Sequence, residues 1–293
     1  MLNPEELRNG KRVRISELLG YSILIIFALS SILVLVYFIG TIAAKGLSSI
    51  SWTFLTQVPR VGMTEGGIMP AIVGTVYVAM LTLAVSVPLG VGSAIYINEF
   101  SSKGLFNRII RLSIRNIAGV PSIVFGLFGL GLFVAGMKLG QSLLAAAFTL
   151  ALMTYPVIVT TAEEALKAVP QSFRDGALAL GATRWQAVRH QVLPAAIPGM
   201  ATGAILGLGR AAGETAPILL TGAAYFLPRL PQGVSDQFMA LPYHLYILAT
   251  QHNQISVVRP LAYGTALVLL ALVLLLNGAA IAIRLYYRKN KQW

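Results

Sequence analysis

The sequence predicts an all-α integral membrane protein with six transmembrane helices. Of its 293 residues, 56% are hydrophobic and only 11% charged, whereas a soluble globular domain carries roughly 25% charged residues. Mean hydropathy is +0.76. Lys and Arg fall in short segments between long apolar runs, a pattern of membrane topology rather than of a basic patch on a soluble fold. The net charge of +12 therefore does not point to nucleic acid. With no cysteine, the chain has neither disulfides nor thiolate metal sites.

A helix needs about 20 apolar residues to cross the hydrocarbon core. Six segments reach that length: about 21–44, 69–97, 117–137, 141–161, 198–222 and 261–283. The first is longer than the roughly 7–15-residue core of a signal peptide. No small-x-small cleavage pattern stands out, so it reads as a retained span. The second is long for one crossing, and Pro88, Gly90 and Gly92 predict a kink or close packing near its end.

Six spans put both termini on one side. That side carries sixteen cations: Arg8, Lys11, Arg12 and Arg14; Lys103, Arg108, Arg111 and Arg115; Lys167, Arg174, Arg184 and Arg189; and Arg284, Arg288, Lys289 and Lys291. The other side has only Lys45, Arg60, Lys138, Arg229 and Arg259. The positive-inside rule then places both termini in the cytoplasm. The outer segment 223–260 reads as a short surface helix or a docking loop, and Trp52, Tyr37 and Tyr243 as interface anchors.

The inner segment 162–197 reads as two short helices joined by a glycine turn. Pro170 closes one helix and opens the next at its first turn. Phe173, Ala177 and Leu180 form an apolar stripe at i, i+4 and i+7. Gly181 stands where a C-cap glycine belongs, and Thr183 with Gln186 forms a capping box. Pro194 and Pro198 are expected to end the second helix ahead of the fifth span. From the residues alone, an amphipathic hairpin on the lipid surface and a docking knob for a cytoplasmic partner are equally good readings.

The fifth span carries the chemistry. Arg210 is the one cation assigned to no loop, and Glu214 is the only acid inside the segments above. At i, i+4 on one continuous helix they would share a face, with Pro217 bending the helix just beyond them. Arginine suits an oxyanion because its planar fork offers several donors and stays charged. The alternative is an ion pair that only fixes packing. Gly199, Gly203 and Gly207, then Gly209 and Gly213, recur every fourth residue and predict close helix approach, read here as a subunit interface. His190, His244 and His252 show no ligand spacing, and no metal site is expected. No G-x-x-x-x-G-K-[ST] occurs, so the chain lacks a P-loop for ATP.

Asp175–Pro194, DGALALGATRWQAVRHQVLP, resembles the EAA loop of ABC-importer permeases: Glu-Ala-Ala, three residues, glycine, then a distant Leu-Pro. Ala177, Gly181, Leu193 and Pro194 match, while Asp175 stands for the usual Glu and Gly176 for the usual Ala. Gly176 lowers helix propensity by about 1 kcal/mol. AGVPSIVFGLFGLG (118–131), RAAGETAPILLTG (210–222) and VPLGVGSAIYINEF (87–100) resemble the phosphate importer permeases of the PstA type. The resemblance runs from about residue 68 to the end.

The resemblance implies a type I ABC-importer (MetI-like) permease core over 68–293, preceded by a tail, first span and outer loop over 1–67. It implies that the loop 162–197, including Ala182 and Thr183, docks a cytoplasmic ATPase through coupling helices. Arg210, Glu214 and Thr215 would lie on the substrate path. The expected partners are a related PstC-type permease subunit, two ABC ATPase subunits that bind the ATP, and an extracytoplasmic phosphate-binding protein. The expected location is the prokaryotic inner membrane. A permease for sulfate, molybdate or phosphonate is the alternative. A membrane-embedded enzyme would need a nucleophile–base or metal constellation that the spans lack, and a channel would leave the inner loop unexplained.

Overall fold

The computed structural model describes residues 4–102 and 104–289, with side chains from 17 to 285 apart from 19 and 103. Lys103 and Lys291, two of the cations counted above, lie outside the described residues. Among the described residues, five helices are long and apolar enough to cross a membrane. A sixth crossing arises if the pair Leu105–Ile117 and Ser122–Gly136, bent by 103°, counts as one span.

The first helix, α1 (Pro4–Gly46), exposes its whole apolar length from Tyr21 to Ile39. It meets the body only at its end. There Gly46 has no side chain to strike the Tyr263 carbonyl, 2.7 Å from where a Cβ would stand. Lys45 lies over the Tyr263 ring at 5.3 Å. A capped turn, α2 (Trp52–Thr56), and a two-residue hairpin of β1 (Pro59–Arg60) and β2 (Glu65–Gly66) follow.

The body is built on α3 (Met69–Ile95) and α6 (Leu143–Lys167). Gly90 of α3 gives way to Ile158 of α6, the close packing its sequence predicts. Helix α3 continues as a π-helical turn, Tyr96–Phe100, which ends at the extended Ser101, and the amphipathic α4 (Leu105–Ile117) starts from the extended Gly104. Ser142 starts α6 by accepting the Ala145 N–H at 3.2 Å. Helix α6 is the centre of the core, with Ala146, Leu150, Met153, Ile158 and Leu166 fully enclosed.

Several boundaries differ from the sequence expectation, each for a local reason. The third crossing starts at α5 (Ser122–Gly129), not at 117, because Pro121 is extended (φ −57°, ψ 141°) and the residue before a proline avoids the helical region. Together with its π-helical continuation Leu130–Gly136 it is about 22 Å long. The fourth does not stop at 161: α6 runs to Lys167, so Glu163 and Glu164 lie on it and Glu214 is not the only acid of a span.

Pro194 and Pro198 do not end a helix. From α8 (Arg184–Ala187), a π-helical turn (Val188–Val192) leads directly into α9 (Leu193–Gly213). The wider turn ahead of Pro194 absorbs its missing N–H and its ring. Among the described residues, the segment 162–197 therefore has one free-standing helix, α7 (Gln171–Ala179), rather than two, and Pro170 is its N-cap rather than its first helical residue.

The predicted 25-residue span 198–222 is broken. Helix α9 ends at Gly213, Glu214 is extended (φ −77°, ψ 136°), and α10 (Ala216–Thr221) starts afresh. Pro217 does not bend a continuous helix. Its ring would strike the carbonyl four residues back, at Gly213, where the helix stops. The helix of the outer segment is not a surface helix: α11 (Leu241–Thr250) buries Leu241, Pro242, His244, Ile247 and Leu248, while the loop before it exposes Tyr225, Leu230 and Val234. Tyr243 is half-buried and stacks on Tyr246 rather than standing free. The last helix, α12 (Ile255–Lys289), begins earlier than 261 and contains Pro260.

Candidate anion site and coupling loop

Arg210 lies in the last turn of α9, and Glu214 caps that helix from its extended position. The Arg210 Nε donates to Glu214 Oε1 at 3.3 Å, a single long contact. The two side chains keep 35% and 20% of their surface, and Thr215 is also half-buried. The pair predicted on one helix face is thus present, but it spans the break instead of riding a continuous helix. A broken helix inside a membrane leaves backbone groups free to meet water or an ion, and such breaks belong where protein or a polar path surrounds them.

The neighbours of the break explain the other motifs. Gly126 of α5 lets α10 approach: a Cβ there would lie 3.0 Å from Pro217 Cα and 3.2 Å from the Ala216 carbonyl. Gly129 does the same towards Thr149 and Thr221. The stretches PSIVFGLFGLG and GETAPILLTG are therefore two sides of one contact. On α9, side chains at Gly199 and Gly203 would strike Ala165 and Thr161, and Gly207 faces Ile158. That glycine row packs on α6 of the same chain, not on another subunit. Gly209 faces Asn277 of α12, and nothing lies near Gly213.

In the loop expected to dock a partner, the turn and cap at Gly181 and Thr183 form as their local chemistry requires. Gly181 has φ +82°, in the left-handed region that favours glycine, and it turns the chain between α7 and α8. Thr183 accepts the Gln186 N–H at 3.3 Å, and Gln186 Oε1 accepts the Thr183 N–H at 2.8 Å, closing the capping box. Asp175 and Gly176 are exposed on α7, Ala177 and Ala182 half-buried. Of the apolar stripe, Phe173 and Ala177 turn inward while Leu180 is 91% exposed. Leu193 and Pro194 lie inside the continuous α8–α9 helix.

Sequence reasoning missed the groups that hold this loop. Arg174 of α7 makes two hydrogen bonds to Glu99, at 2.7 and 3.1 Å, and donates to the Leu166 and Val169 carbonyls at 2.9 Å each. Glu99 is the penultimate residue of the stretch VPLGVGSAIYINEF, so that motif reaches the loop directly. One turn before the end of α6, Glu163 is buried and pairs with both Arg111 and Lys167. Arg111 also donates to Asn107 Oδ1 at 2.5 Å and to the Ile97 carbonyl at 3.2 Å. The available signal was an acid four residues before a lysine, Glu163 and Lys167, at the end of an apolar run.

Residues 86–288 match the family model described as the inner membrane component of binding-protein-dependent transport systems. The chain belongs to that family. It is 31% identical to the Phosphate transport system permease protein PstA 1 of Mycobacterium tuberculosis (strain ATCC 25618 / H37Rv), over 88% of this chain and 84% of that protein. It is 32% identical to the Probable ABC transporter permease protein YqgI of Bacillus subtilis (strain 168), over 84% and 87% respectively. It is 33% identical to a probable phosphate transport system permease protein PstA of Methanocaldococcus jannaschii, over 84% and 85%.

Among solved structures, a bacterial alginate ABC transporter chain superposes with a TM-score of 0.62 at 17% identity, covering 95% of each chain. An inward facing MetNI methionine ABC transporter chain gives 0.57 at 20% identity, covering 75% of this chain and 94% of that one. These likenesses show the fold. This permease is accordingly a multi-pass membrane subunit of a MetI-like importer fold, the membrane component of a transport system and not itself its catalyst.

Proposed function

We propose that the chain is the permease subunit of an ATP-driven importer of inorganic phosphate, with Arg210 as an anion-attracting step on the path. The observation that carries the reading is the half-exposed Arg210–Glu214 contact at the break between α9 and α10. A guanidinium held by one long bond to a carboxylate can exchange that partner for an oxyanion, which presents more acceptors. Glu214 keeps the cation from binding the anion too tightly, so that the anion leaves. The relatives named as phosphate transport permeases support phosphate over other oxyanions.

In this reading a PstC-type subunit supplies the other half of the path, and an extracytoplasmic phosphate-binding protein delivers the anion. Two ATPase subunits bind the ATP and seat on α7 and the Gly181 turn, through Asp175, Gly176, Ala177, Ala182 and Thr183. Residues 68–293 form the permease domain, both termini are cytoplasmic, and the membrane is the prokaryotic inner one. ATP-dependent uptake by the reconstituted complex tests this. Phosphate uptake that sulfate and molybdate in tenfold excess leave unchanged is expected. Uptake driven equally by sulfate or molybdate would replace phosphate by that oxyanion.

A further inference from the structure

A cavity of about 1030 Å3 opens on the basic side of the protein, between α4 and the coupling turn. Its wall includes Arg108, Arg111 and Arg115 of α4, Lys167 of α6 and Arg184 of α8. The acids beside it are already engaged: Glu99 with Arg174, and Glu163 with Arg111 and Lys167. Arg108 and Arg115 are exposed and make no ion pair among the described residues. The site is cationic beyond what its own carboxylates neutralise, and nothing in the transport reading uses it.

The faces of α4 indicate the source of the anion. Asn107 and Ile114 face the core and are buried. Leu105, Phe106, Ile109 and Leu112 form a second face and are 73%, 70%, 51% and 58% exposed. The arginines form the third, at i, i+3 and i+7. An exposed apolar face beside a cationic one is the arrangement of a helix lying in the membrane interface, with its apolar side among acyl chains and its cations at headgroup depth. Anionic lipid attracts such cations by about 1 kcal/mol each. The cavity matches the upper range of small-molecule pockets, about 300–1,000 Å3, and exceeds what a bare phosphate ion fills.

We propose that this cavity binds the phosphodiester headgroup of an anionic phospholipid, with Arg108 and Arg115 as its ligands and the apolar face of α4 against the acyl chains. Arg111 and Lys167 stay with Glu163 and shape the wall. The lipid then sits against the elements that hold the coupling loop, since Glu99 and Arg184 border the same cavity.

The test is native mass spectrometry of the full chain purified with its ATPase, titrated with phosphatidylglycerol or with phosphatidylcholine of identical chains. Phosphatidylglycerol should be retained about tenfold better, and the double substitution Arg108→Gln with Arg115→Gln should abolish that preference. Arg108→Lys with Arg115→Lys should keep most of it, because charge is retained. Equal retention of the two lipids, or an unchanged preference in the Gln variant, would overturn the proposal. Displacement of the lipid by soluble glycerol 3-phosphate at equal concentration would show a free-anion site instead. Loss of the ATPase from the Gln variant would assign the surface to that subunit. None of these readouts depends on which anion is transported.

Discussion

Two ionic sites on this chain are built in opposite ways. Around Glu163 and Glu99, the carboxylates are buried and each takes an arginine from another helix, Arg111 of α4 and Arg174 of α7, with Lys167 of α6 as a further partner of Glu163. At Arg210 one long bond joins neighbours four residues apart, both part-exposed. A buried pair with several bonds is costly to open, and so fixes where α4, α6 and α7 meet. A part-exposed single contact contributes little to stability, about 0–1 kcal/mol, and is free to exchange partners. Charge in a membrane protein thus marks two kinds of place, and burial with bond count tells them apart.

That contrast can be broken by substitution. The largest effect belongs to Glu163→Ala, which strands the part-buried Arg111 beside a buried gap. It should destabilise the chain by about 3–5 kcal/mol, seen as a lowered melting temperature and poor membrane yield. If Glu163→Ala melts like the wild type, the buried cluster is not what holds these helices together. Arg210→Ala should reverse the pattern: melting and assembly close to wild type, phosphate uptake down about 100-fold, or about 2.7 kcal/mol of lost stabilisation along the path. Wild-type uptake by Arg210→Ala would remove Arg210 from the path.

His244 of α11 adds a buried group that is kept neutral. Burial, with His252 nearby, pushes its pKa down to about 4, from 6.5. Its folded value lies below its unfolded one, so its contribution is complete above about pH 6.5 and is lost as pH falls towards 4. At pH 5 the loss should reach about 2 kcal/mol. Thermal melts at pH 7.5 and 5.0 check this, and His244→Gln should flatten the difference. The smallest effect is expected from Glu214→Gln. It should lower the KM for phosphate and the maximal uptake rate, each by about threefold, because the anion no longer competes with a carboxylate. A raised KM would show that Glu214 helps to bind rather than to release.

Much of the fold was legible because membrane spans announce themselves by length and apolarity. The Gly199–Gly203–Gly207 row correctly signalled close approach, but spacing alone does not say to which helix, and the partner proved to be α6. The break at Glu214 was hidden because a proline acts four residues upstream of itself, at Gly213, rather than where it stands. Glu99 and Glu163 escaped notice for a related reason. Both lie at helix ends, where a charge reads as loop, and only the packing of α4 and α7 against them reveals their burial. The Gly181 turn and the Thr183 capping box were readable from the residues because turn chemistry is local.

The unbroken run from Arg184 to Gly213 has a mechanical meaning. Thirty residues of helix make a rod about 45 Å long. One end starts at the capped turn after Gly181, and the other, at Gly213, carries Arg210 in its last turn. If such a rod pivots near its middle by about 10°, its two ends swing about 4 Å in opposite senses. A displacement at that capped turn would then reach the guanidinium without any chain of side-chain rearrangements between them. Besides Pro198 inside α9, a soft joint on this lever is the π-helical turn at Val188–Val192, close to the capped end. Stiffening that joint would change the gearing between the two ends while leaving every contact of Arg210 in place.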